Sequence, residues 1–163
     1  MRKLSFILAS SAAIAMALPA AAHAQDKDLA ETAIAAGTYK SFVRALTEAG
    51  LTETLKGPGP FTVLIPSDDA FAKLPAGKLD ALMKDKSALK DVLLYHLIAG
   101  RLTAADFAKM SGRSKKTVEG SDAKVTAAGD QITIGTAHII TADVSAKNGI
   151  IHIIDAVLIP PGR

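Results

Sequence analysis

The spacing of apolar residues changes partway along this chain. A first helical signal runs from Asp28 to Ala36, and Gly37 ends it. Tyr39, Phe42, Val43, Leu46 and Ala49 then recur at helical spacing, with Thr38 placed as N-cap and Gly50 just past the end. One further turn is expected over 51–56. The run Gly57-Pro58-Gly59-Pro60 cannot continue a helix. Phe61 to Ile65 is β-rich and bounded by prolines. It is apolar on both faces, which predicts an internal strand. Helices are expected over 78–84, over 88–96 with Ser87 as cap, and over 103–110 with Thr103 as cap.

After residue 115 the period becomes two. Val125, Ile132, Ile134, Ile139, Ile140, Val144, Ile150, Ile151, Ile153 and Ile154 mark strands. Asn148-Gly149 predicts a two-residue hairpin loop in which Ser145 faces His152 and Asp143 faces Ile154. A helical half followed by a strand half predicts an α+β fold rather than alternating βα units.

The first 24 residues change the bulk picture. A basic start, a short apolar run and Ala22-His23-Ala24 have the form of a secretory signal peptide cleaved after Ala24. The remaining 25–163 is long enough for one domain. Arg2 and Lys3 leave with the leader, so the net charge falls from +3 to +1. A near-neutral protein has little field to steer it onto nucleic acid. Cysteine is absent, so there is no disulfide, thiolate nucleophile or acylation site. The expected product is exported, periplasmic or extracellular, and not an integral membrane protein.

The candidate chemistry is sparse. Asp68 and Asp69 follow Ser67, a good N-cap, and at the first helical positions their charge meets the helix dipole. A catalytic carboxylate pair must instead flank a substrate across about 5–9 Å. His96 falls on the apolar stripe of its helix, as a satisfied structural histidine would. After cleavage His96, His138 and His152 remain, none at metal-ligand spacing, so no metal and no cofactor is expected. The basic run Lys109, Arg113, Lys115 and Lys116 lacks interleaved aromatics, which argues against nucleic acid. It reads as solvated charge, or as a contact for an anionic surface polymer.

Three stretches, FTVLIPSDDAFAKLP, DVLLYHLIAGRL and NGIIHIIDAVLIPP, stand in the order and spacing of the fasciclin domain family. Over residues 26–160 the chain resembles that family. The resemblance implies a two-sheet β-wedge or sandwich packed against several short helices, and a non-catalytic role in adhesion or cell-surface interaction. It implies that Tyr95 and His96 match the pair around which animal members contact integrins. Ser67, Asp68 and Asp69 belong to the first signature, and Asn148, Gly149, His152 and Asp155 to the last. Ala99 stands where many members carry proline, and the acidic motifs that animal matrix members use for integrins are missing. The partner implied is therefore a cell-surface protein or a glycan. The alternative is an envelope module for glycans or small molecules.

Overall fold

A computed structural model of the chain describes residues 27–75 and 77–161. The leader expected over 1–24 lies outside the described residues. Among those described there are seven helices and seven strands. Helix α1 spans Leu29–Ala36. Asp28 caps it, and Asp28 and Glu31 each accept the other's backbone N–H. Helix α2 spans Lys40–Glu48 and α3 spans Thr52–Lys56.

Thr38 does not cap α2. Tyr39 occupies the cap position without a side-chain bond, and Asp68 supplies the missing acceptor by taking the Ser41 N–H at 3.0 Å. The next helix, α4, spans Asp68–Ala72, and its Ser67 cap accepts the Ala70 N–H as expected. Helix α5 spans Lys78–Lys84. Helix α6 spans Lys86–Tyr95 and is capped by Asp85 rather than Ser87. The Asp85 carboxylate accepts the N–H groups of both Ser87 and Ala88, while Ser87 itself lies two residues further on, inside the first turn. Helix α7 spans Ala104–Lys109, with Thr103 and Asp106 forming its capping box.

Strand β1 (Phe61–Pro66) lies between β2 (Leu97–Ala99), antiparallel to it, and β7 (Gly149–Ile154), parallel to it. Strands β3 (Ser114–Lys116), β4 (Asp122–Ala128), β5 (Gln131–Ile134) and β6 (Ala137–Ala146) continue the order β2-β1-β7-β6-β5-β4-β3. The wedge bends at β6. Its first two residues pair with β5, and the rest turns away to pair with β7. Beyond β3, Thr117 bridges Ile98 of β2, and the Val118 N–H donates to the Leu97 carbonyl at 2.8 Å. The two ends of the strand order thus meet.

This arrangement makes two cores. On β1, Val63 and Ile65 face the helices and pack with Phe42, Leu46, Leu55 and Leu93. Leu64 faces the other way, into the wedge, with Ile98, Phe107, Val125, Ile134, Ile154 and Leu158. The internal strand anticipated over Phe61 to Ile65 is therefore apolar on both faces because it separates two cores. Each fully buried Leu, Ile or Phe contributes about 1.5–3 kcal/mol.

The hairpin register differs from the expected one. Ala146 pairs with Gly149 and Ser145 with Ile150, so the loop is Lys147-Asn148. Gly149 serves close approach, not a left-handed turn. A Cβ there would overlap the Phe61 carbonyl on the neighbouring strand. A further difference is the short β2, which begins just past the helix end expected at His96.

Candidate functional site

Tyr95 and His96 sit where α6 meets β2, and both are buried, at 5% and 1% exposure. Tyr95 points into the wedge core, and its hydroxyl donates to the Asp122 carbonyl at 3.2 Å. Burial, and then the charges of Glu119 and Asp122, push its phenol pKa up. His96 Nδ1 lies 2.7 Å from the Val92 carbonyl, and Nε2 accepts the Leu158 N–H at 3.0 Å. A carbonyl only accepts and an amide N–H only donates, so these partners assign the neutral ring with its proton on Nδ1. Burial lowers its pKa to about 4 despite the Val92 bond, which opposes the shift. The ring meets Phe42 edge-on at 6.2 Å. The pair expected to present a binding surface is thus turned inward.

His152, on β7, is built the same way in the other core. Its Nδ1 accepts the Asp143 N–H at 3.2 Å, so Nε2 carries the proton and donates to the Leu102 carbonyl at 2.7 Å. Desolvation lowers its pKa, with the Leu102 bond and the Asp143 charge opposing. Phe107 lies edge-on at 5.3 Å. Asp143 sits in an irregular stretch of β6 at φ 60°, an uncommon backbone state for a residue with a side chain. Its carboxylate accepts the Ala104 N–H at the start of α7.

The closing signature forms a hub. The Asn148 side chain accepts the Leu29 N–H at 2.9 Å and donates to the Leu55 and Gly57 carbonyls. One amide thereby ties the β6–β7 loop to α1 and α3. Asp155 accepts the His138 N–H at 2.8 Å. Beside Asn148 opens a polar cleft of about 840 Å³, floored by Gly57-Pro58-Gly59-Pro60. Asp28 and Glu31 line it together with Arg101 and Lys147. Sequence reasoning placed no site there, because the cleft joins residues more than a hundred positions apart. The Asn148 signature was its only local trace.

The basic run is not one patch. Lys115 lies opposite the buried Ala123, on the side of β3 and β4 that faces the wedge. Lys116 lies opposite Asp122 on the outer face, which Lys124 shares. Lys109 is on α7, whose Phe107 packs into the wedge. Adjacent strand positions alternate, so the lysine pair is divided between two faces. Among the described residues no three His, Cys, Asp or Glu side chains group as a metal site requires. Among the described residues, no helix is long and apolar enough to cross a membrane.

The fasciclin domain profile matches residues 37–160, and the chain belongs to the fasciclin domain family. It is 38% identical over 132 residues to the protein sll1735 of Synechocystis sp., covering 81% of this chain and 97% of that one. It is 40% identical over 124 residues to the transforming growth factor-beta-induced protein ig-h3 of Sus scrofa. That match covers 76% of this chain but 18% of the porcine one. A solved FAS1 domain pair from the insect cell adhesion molecule fasciclin I superposes with a TM-score of 0.70 at 20% identity, over 83% of this chain and 51% of that one.

Proposed function

We propose that the chain is exported with removal of residues 1–24, and that 25–163 works as one non-catalytic fasciclin domain in contact with cell-surface proteins or glycans. The observation that carries this reading is the commitment of its titratable groups. His96 and His152 have both ring nitrogens bonded to backbone inside the protein, and Asp68 is spent capping α2. Acid–base chemistry needs such groups poised at a surface near neutral pH. Membership of a family that includes a cell adhesion molecule supports a contact role. On this reading Tyr95 and His96 shape the domain from within, and a partner meets other residues.

The polar cleft beside Asn148 favours a second reading, an envelope module for glycans or small molecules. Its carboxylates and cations suit hydroxyl-rich ligands. Lys116 with Lys124 offers a smaller contact for an anionic polymer on the outer sheet face. Beads coated with the purified protein, applied to sister cells and to a glycan array, distinguish these readings. Cell attachment without array signal supports protein contact, and array signal abolished by Arg101→Ala and Lys147→Ala supports the cleft. Neither response overturns the contact function. N-terminal sequencing of the envelope-fraction protein should begin at Gln25, and a start at Met1 overturns the removal of residues 1–24.

A further inference from the structure

We propose that the groove between α1 and α2 binds an anionic amphiphile with a single aliphatic chain, a medium-chain carboxylate being the simplest form. The groove holds about 320 Å³, within the range of small-molecule sites. Its walls are Ala33, Ile34, Tyr39 and Val43, and carbon makes up nearly all of the lining. Ile34 is 56% exposed, so a large apolar side chain stands more than half in solvent at the mouth. Burying such surface is the driving force available to a ligand chain.

Local sequence explains why the groove stays open. Gly37 ends α1 in the left-handed region at φ 68°, and the chain swings away before α2 begins. A Cβ built on Gly37 would meet nothing within 4 Å. Ala33 contributes only a methyl group to the floor. The void therefore lies at the junction of the two helices, beside Gly37.

The rim supplies the head-group chemistry. Lys40 and Arg44 line the groove one helical turn apart, both exposed, and neither forms an ion pair among the described residues. Glu48 lies one turn beyond Arg44, and Glu31 one turn back from Ile34 along α1. The positive end is therefore the stretch from Lys40 to Arg44. A carboxylate held there leaves its chain lying over Val43, Tyr39 and Ile34. The pocket is concave and so receives a chain, whereas docking on a bilayer calls for a convex apolar tip. This site is separate from the polar cleft and stands whether or not the contact function holds.

The test is titration of the purified protein with sodium decanoate below its micelle concentration, followed by amide and methyl NMR shifts. Saturable shifts at Ala33, Ile34 and Val43 are expected. Lys40→Glu with Arg44→Glu, both on the exposed face, should weaken binding by about tenfold or more through charge reversal. Decyltrimethylammonium should not bind. Equal affinity for that cation, or shifts confined to other parts of the domain, overturns the proposal. So does binding to phosphatidylglycerol vesicles that Ile34→Glu abolishes without any response to decanoate, which assigns the face to a membrane surface. Concentration-dependent dimerisation with the same pattern assigns it to a second copy and also overturns it.

Discussion

The helix-side core and the wedge core each enclose one neutral histidine beside one phenylalanine: His96 with Phe42, and His152 with Phe107. The rings differ in what they finish. His96 takes up a carbonyl at the end of α6 and an N–H from the irregular segment after β7. His152 takes up an N–H that the break in β6 leaves out of the ladder, and a carbonyl in the link before α7. At both of these breaks in regular hydrogen bonding, an imidazole completes the pairing. A neutral imidazole suits the task because it is the one side-chain ring that donates on one edge and accepts on the other.

Replacing either ring by leucine gives the largest expected effect. Each replacement strands two buried backbone groups and should cost about 4 kcal/mol in urea unfolding. A cost below about 1 kcal/mol at His152 alone would separate the two rings, because it would mean that water substitutes in the wedge. Acid should act next. The folded His96 titrates near 4 and the unfolded ring near 6.5, so the unfolded chain takes up more protons between these values. Stability from this group is complete above pH 6.5 and lost as pH falls, by about 3 kcal/mol at pH 4. His152 shifts in the same direction and adds to the loss. Unfolding free energies at pH 7 and pH 4 for the wild type and His96→Leu check it. A variant that loses as much as the wild type would exclude His96 as the source.

Smaller effects test the surroundings of each core. Ser67→Ala and Asp68→Ala should each cost about 1 kcal/mol, since one caps α4 and the other caps α2 from a distance. Thermal melts of the two variants and of the double variant read both. On the wedge side, Asp143→Asn should be nearly neutral, because asparagine tolerates positive φ and keeps the acceptor for Ala104. Asp143→Val should cost about 2 kcal/mol by the same measurement, through backbone strain and the lost acceptor. Equal stability of these two variants would show that the irregular backbone there carries no strain.

Where one residue's side chain answers its own neighbours, the sequence was readable. Ser67 and Thr103 cap the helices they precede, and 78–84 and 61–65 form the elements their patterns predict. The differences lie where distant groups decide. Asp68 leaves Thr38 no role at α2, and Asp85 outcompetes Ser87 by reaching two N–H groups. Asn148 and Gly149 read as a turn pair, yet one bonds α1 and α3 and the other makes room for β1. His96 was visible on the apolar stripe of its helix and His152 as part of the closing signature, but not their partners. Leu158 stands 62 positions from His96, and Leu102 stands 50 from His152. The groove between α1 and α2 had a weaker trace, an alanine-rich helix ending at Gly37.

The parallel pairing of β1 with β7 joins Phe61 to Gly149, and both cores rest on that pair. Neither core can close until the last strand is available, so the fold has a high contact order and should form late and slowly. For a chain threaded through a membrane pore from its N-terminus, that order of events has a use. On the proposed export, the leading segments would remain loose while they are drawn across, and the domain would lock only once β7, Gly149–Ile154, reaches the far side.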